Sequence, residues 1–178
     1  GQCLIYTADG ETSLVDCGGA QDESGELAAR YLETNGVFCV DRLILTHLDA
    51  DHCNGAAQLL SRIRVDTLYL PLTAIGEDGA MLRGIREAAR ESGTQIKFVR
   101  EDTEFLAKDG CITILSPDLR ESGNNGGLCV LASHEKYDIL ITGDLSQNAE
   151  YRLLSRYDLR DIELLVAGHH GAATSTSD

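Results

Sequence analysis

Leu43-Ile44-Leu45-Thr46-His47-Leu48-Asp49-Ala50-Asp51-His52 is the stretch on which the fold turns, because an apolar run breaks directly into four ligand-type side chains within six residues. The run reads as a buried strand over 42–46 with those side chains at its mouth. Imidazoles and ionised carboxylates crowded at one strand end repel or desolvate one another unless a cation lies among them, so packing explains this cluster poorly. Two later segments follow the same plan. Gly143-Asp144 succeeds the apolar run Ile139-Leu140-Ile141-Thr142, and Gly168-His169-His170-Gly171 succeeds Leu164-Leu165-Val166-Ala167. Three strand ends bearing ligand residues are expected to serve one cleft.

Outward from the cluster, the chain punctuates itself. Strands at 4–7 and 12–15 flank Ala8-Asp9-Gly10-Glu11, and Asp-Gly between apolar runs is a strong hairpin signal. Leu27, Ala28, Tyr31 and Leu32 recur at helical spacing over 26–35, with Gly36 as the stop. Asn54 is expected to cap a helix running to Ile63, whose glycine and alanines at 55–57 let its first turn approach other backbone closely. A strand at 67–70, an amphipathic helix at 79–91 ended by Gly93, and a strand at 95–100 follow. Further strands are expected at 110–115, 128–133, 137–142 and 162–167, with a turn around Ser133-His134-Glu135-Lys136 and a helix at 148–156. Two successive groups of strands and helices suit two sheets packed together with helices outside, an α/β four-layer αββα sandwich.

Composition sets bounds on function. The 178 residues suffice for one domain with a sizeable core and include no run approaching the ~20 apolar residues of a membrane span, so this piece reads as soluble with no direct membrane insertion. A net charge of −14 argues against a broad electrostatic grip on nucleic acid, yet two divalent cations would place positive charge where a phosphate must land. Arg83, Arg86 and Arg90 form a small basic trio that reads as a solvated helix face. The six cysteines have no C-x-x-C pair and no regular spacing, which excludes a zinc ribbon and implies reduced, structural thiols. Cys53 adjoins His52 but is expected to point elsewhere. His134 is expected to be a surface residue.

Residues 47 and 49, and separately 51 and 52, cannot all reach one ion without straining a tight loop, but they suit two neighbouring ions. The carboxylates and imidazoles at these strand ends, without a required thiolate, form a fairly hard donor set, which shifts preference toward manganese while leaving zinc open. Ser116 and Ser175 lack a His-Asp partner pattern and read as loop residues.

The order H-x-D-x-D-H, then a lone G-D, then H-H-G resembles the metallo-β-lactamase superfamily, and within it the hydrolase-like C-terminal domain of the ComEC competence family. Gly1-Gln2 is similar to the end of that family's V-G-Q-G opening, Val15-Asp16-Cys17-Gly18-Gly19 to its I-D-x-G-G loop, and His169–Ser175 to its H-H-G-S-x-T-S segment, with Ala172 in place of the serine. Opening in mid-motif and stopping at Asp178, the chain reads as one metallo-hydrolase domain, 1–178, excised from a larger protein, with terminal segments of the fold outside it. The resemblance implies that His47 and Asp49 hold a first metal, Asp51 and His52 a second, that Asp144 bridges both, and that His169 completes the second. The superfamily usually supplies another histidine to the first metal, but here that region is Gly123-Asn124-Asn125-Gly126-Gly127. Either asparagine is a substitute ligand, or the segment is a Gly-Asn turn. Asp16 is expected to orient ligands or satisfy backbone donors rather than to bind metal.

The chemistry so implied is attack of a metal-held hydroxide on a phosphodiester, with Asp51 orienting the nucleophile and His170 or a metal stabilising the leaving oxygen. Adjacent residues on an extended segment point oppositely, so one of His169 and His170 is expected to ligate. The leading expectation is a nuclease acting on DNA, single-stranded during competence-related uptake, as part of a bacterial cell-membrane protein that works with other competence components. A metallo-hydrolase of a small phosphodiester or ester and a catalytically inactive DNA- or partner-binding module are the alternatives.

Overall fold

The computed structural model describes residues 1–20, 23–116, 121–159 and 161–176. They divide into two compact units, the first comprising Gly1–Leu70 with Ala74–Phe98 and the second Pro71–Thr73 with Val99–Asp178.

The first unit is built on a five-stranded sheet in the order β1 (Leu4–Ala8), β2 (Glu11–Val15), β3 (Cys39–Ile44), β4 (Arg64–Pro71) and β5 (Gln95–Val99). Strands β1 and β2 form the expected hairpin, and Asp9 and Gly10 at its tip both adopt positive φ, 51° and 83°, as a tight two-residue loop requires. Strands β2, β3 and β4 run parallel, so helical crossovers join them. Helix α1 (Ser24–Thr34) makes the first crossover. Short α2 (Ala50–Cys53) and then α3 (Ala56–Arg62) make the second, and α4 (Ala80–Ser92) leads to β5. Gly36 and Gly93 end α1 and α4 in the left-handed region, φ 78° and 76°, where a glycine has no Cβ to clash. Leu14, Leu32, Leu43, Leu59, Leu68 and Ile85 interlock as its core.

Two expectations need correction in this unit. Strand β3 lies over Cys39–Ile44 rather than 42–46, because the backbone leaves the ladder at Thr46, whose N–H donates to the Asp16 carboxylate at 2.7 Å. Asn54 does not cap the following helix. The extra turn α2 intervenes, Gly55 takes the capping position, and the Asn54 amide instead brackets Gly19, accepting from its N–H (3.0 Å) and donating to its carbonyl (2.8 Å). The close approach expected at 55–57 is present. A Cβ on Gly25 of α1 would stand 2.0 Å from the Gly55 carbonyl oxygen.

The second unit holds a five-stranded sheet in the order β10 (Leu164–Val166), β9 (Tyr137–Ile141), β8 (Cys129–His134), β7 (Gly110–Leu115) and β6 (Thr103–Leu106). Strands β6 to β9 are antiparallel neighbours, and β10 returns parallel to β9 after helix α5 (Gln147–Arg156). Ala149 and Leu153 of α5 pack on Leu115, Cys129, Leu140 and Leu145. Strand β6 was not expected: at four residues with half-exposed and exposed positions alternating, it carries almost no apolar signal. No helix among the described residues is long and apolar enough to cross a membrane.

Candidate metal centre

The first unit presents its ligand residues on the turn between β3 and α2. Asp49 occupies the N-cap position of α2, and its carbonyl accepts from the N–H groups of His52 (3.0 Å) and Cys53 (3.1 Å), which fixes the turn. Behind it stands Asp16, fully buried and held at φ 61°. Its carboxylate accepts from Thr46 N–H at 2.7 Å, Thr46 Oγ1 at 2.9 Å and Gln2 Nε2 at 2.9 Å, and bonds His52 Nδ1 at 2.7 Å. Asp16 thus satisfies the backbone donor of Thr46 and fixes the ring of His52.

This network sets the histidine tautomers. Thr46 Oγ1 has a single proton and gives it to Asp16, so its 3.0 Å contact with His47 Nδ1 requires that nitrogen to be the donor. His52 Nδ1 likewise donates to the Asp16 carboxylate. In the neutral rings the lone pair then falls on Nε2, which faces a carboxylate in each case, His47 at 3.7 Å from Asp49 Oδ2 and His52 at 4.0 Å from Asp51 Oδ2. These gaps exceed a hydrogen bond but match two donors each about 2.0–2.2 Å from one cation. The rings lie 4.1 Å apart, centroid to centroid. The spacings of His47 with Asp49 and of Asp51 with His52 are compatible with binding of a divalent ion.

In the second unit, Asp144 follows β9 and is 6% exposed, and His169 Nε2 lies 3.8 Å from its Oδ2, again a ligand-type spacing. The Gly168–Gly171 segment is not extended as supposed. His169 and His170 both adopt left-handed φ, 49° and 53°, in a 3-10 turn, a conformation costing on the order of 1–3 kcal/mol per non-glycine residue. His169 is the member turned to Asp144, and both histidines are exposed. Gly123–Gly126 forms a 3-10 turn in which Asn125 Oδ1 accepts from Ser146 N–H at 3.1 Å, so the turn reading holds for Asn125.

The remaining candidates fall where expected. Cys53 points its thiol at Met81 Sδ (3.2 Å) and the Asp49 carbonyl (3.3 Å). Burial, with Asp16 adding to it, pushes the thiol up to about 12. All six cysteines are free, and His134 is exposed. The arginine trio is engaged locally: Arg83 with Asp78 at 3.1 Å, Arg86 with the Ala74 carbonyl at 3.0 Å, and Arg90 with Glu87 at 2.6 Å. Sequence reasoning gave no role to Thr46 or Gln2, whose partners are set only by folding. It also overlooked how Gly18 carries the Asp51–His52 peptide, within 2.4 Å of where a Cβ would sit.

The chain belongs to the metallo-β-lactamase superfamily, whose model matches residues 1–178. It has that superfamily's fold, as the subclass B3 metallo-β-lactamase MEM-A1 from a soil metagenome library illustrates: TM-score 0.63 at 13% identity over 95% of this chain and 73% of that one. Among curated proteins it is similar to ComE operon protein 3 of Bacillus subtilis (29% identical over 93% of this chain) and to competence protein ComA of Neisseria gonorrhoeae (30% over 82%). The chain spans 23% and 19% of those relatives' lengths.

Proposed function

We propose that this chain is the metal-dependent phosphodiesterase domain of a competence protein in the bacterial cell membrane and that it hydrolyses DNA, single-stranded, during uptake. The observation that carries the reading is the pair of histidines locked through Nδ1, each presenting Nε2 to a carboxylate at 3.7–4.0 Å. Similarity to proteins named for competence supports the substrate. The six ligands assigned are His47, Asp49, Asp51, His52, Asp144 and His169. Two divalent ions held there, manganese by the hardness of the set or zinc by superfamily habit, would neutralise phosphoryl charge and acidify a water molecule. Asp51, with 41% of its side chain exposed, orients the attacking water, and exposed His170 donates to the leaving oxygen.

The test uses the 178-residue chain loaded with manganese or zinc, a labelled single-stranded DNA and bis-p-nitrophenyl phosphate. Metal-dependent DNA cleavage that a chelator abolishes is expected, with Asp51→Ala losing about 10²–10⁴-fold in rate while its circular dichroism is unchanged. Cleavage of the small diester alone would transfer the reading to a small-substrate hydrolase. DNA bound without turnover would make the chain a binding module.

A further inference from the structure

Glu150 stands on α5, outside the set of ligands assigned above, and it is 6% exposed. A carboxylate is seldom that buried without partners that require it. Its surroundings are mainly apolar. With Thr142 it borders a hollow of about 300 Å³ whose walls include Leu140, Leu153, Leu159 and Ile162. From there Glu150 reaches both ends of the histidine-bearing segment. Oε1 accepts from the backbone N–H of Thr176 at 3.1 Å, and the same oxygen stands 3.1 Å from where a Cβ on Gly168 would be. Thr142 Oγ1 (3.1 Å) and Ser175 Cβ (3.4 Å) border that same point, and both hydroxyls are buried without a hydrogen bond in the structure. A side chain at Gly168 would therefore crowd the carboxylate and the threonine, which would have to give by a few tenths of an ångström.

The segment between those ends is strained although two backbone hydrogen bonds, from Ala172 N–H to the His169 carbonyl and from Ser175 N–H to the Ala172 carbonyl (both 3.0 Å), run within it. His169, His170 and Thr176 all lie in the left-handed region, φ 49°, 53° and 59°, which these residues adopt only when their surroundings impose it. Backbone ties contribute, from His169 N–H to the Gly143 carbonyl (3.0 Å) and from Gln147 N–H to the Thr174 carbonyl (3.0 Å). Glu150 adds a side-chain hydrogen bond at the finish, to Thr176 N–H, while the same oxygen stands beside Gly168 at the start. We infer that Glu150 is a positioning residue, a buried clamp that holds Gly168–Thr176 in its left-handed turn and thereby aims His169 Nε2 at the ion shared with Asp144. The consequence for metal rests on the function proposed above; the consequence for the segment does not.

Glu150→Ala and Glu150→Gln in the 178-residue chain test both parts. In metal-free protein, amide hydrogen exchange over 168–176 is expected to quicken roughly 10-fold or more in Glu150→Ala, with β7, β8 and β9 still protected. Glu150→Gln retains an oxygen for Thr176 N–H and is expected to restore protection. Titration with manganese and with zinc by calorimetry is expected to show affinity about 10–100-fold weaker in Glu150→Ala and near wild type in Glu150→Gln, together with a changed visible spectrum when Glu150→Ala is loaded with cobalt. Should Glu150→Ala fail to fold, Glu150→Asp withdraws the carboxylate by one methylene and is expected to show the same local exchange. Unaltered exchange at 168–176 overturns the inference. So does a lowered melting temperature with wild-type metal affinity and cobalt spectrum, since that describes a purely structural residue. A wild-type chain that binds no divalent ion, with the exchange result intact, would instead sink the metal reading and leave the clamp standing.

Discussion

Asp16 and Gly18 show how two residues outside the proposed ligand set fix the turn that carries it. Asp16 gathers Thr46, Gln2 and His52 on one buried carboxylate, and Gly18, two residues on, lies flat against the peptide joining Asp51 to His52. A methyl group at 18 would meet the Asp51 carbonyl carbon at 2.3 Å and His52 N at 2.4 Å, and both are backbone atoms that cannot swing aside. Gly18→Ala must therefore displace the first turn of α2, which carries both ligands. A loss of about 1–3 kcal/mol in urea unfolding is expected, the usual cost of overpacking, together with weaker metal binding by calorimetry. Wild-type affinity in a stably folded Gly18→Ala would show that the ligand turn tolerates the shift. A pattern search finds the I-D-x-G-G resemblance, but contact between Gly18 and a peptide 33 positions later exists only in the folded unit.

At the level of elements, the helices that carry this turn are set by a glycine seam. Gly25 in α1 and Gly55 at the start of α3 meet so closely that an added Cβ at 25 would stand 2.0 Å from the Gly55 oxygen. Gly25→Ala is expected to cost about 1–3 kcal/mol by forcing the helices apart, whereas Gly36→Ala, with open space around its φ of 78°, should cost only the left-handed penalty of roughly 1–2 kcal/mol. Paired denaturation curves decide it; equal losses would mean the seam is looser than its geometry. A second joint ties the end of α5 to the segment before β6, where Tyr157 Oη donates to Asp102 at 2.7 Å. Burial, then that hydrogen bond, raises the phenol to about 12 from an unfolded value near 10. The fold thus favours the protonated form. Its contribution is complete below pH ~10 and disappears as pH rises through 12. The stability gap between wild type and Tyr157→Phe should stay flat up to pH ~10 and close between 10 and 12; a gap that persists to pH 12 would exclude the phenol as its source. Joints such as these were illegible in the sequence, since Tyr157 and Asp102 are 55 residues apart. Run length and glycine stops sufficed for most strands and helices, but not for β6, too short and half-exposed to register, nor for α2, hidden among its own ligands.

For the whole molecule, charge is the property with the widest reach. At −14 the chain repels polyanions, and its arginine trio is engaged by Asp78, Glu87 and the Ala74 carbonyl. On the function proposed above, a hold on a DNA strand would rest on cations at the proposed ligand residues rather than on this arginine trio. Such contact is local: with one or two phosphates neutralised, the slope of log K against log salt should be no steeper than about −1.4, at roughly 0.7 per phosphate on a single strand. The imidazoles add a second dependence. An imidazole binds a metal ion only in its neutral form, so protons compete, and on the function proposed above affinity should fall toward low pH. Fluorescence anisotropy of a labelled phosphorothioate single strand, with manganese and with chelator, from pH 5 to 8 and across a salt series, reads all three effects. Binding that survives the chelator, or a slope several times steeper, would require a basic surface that these residues do not provide and would separate DNA recognition from the metal residues altogether.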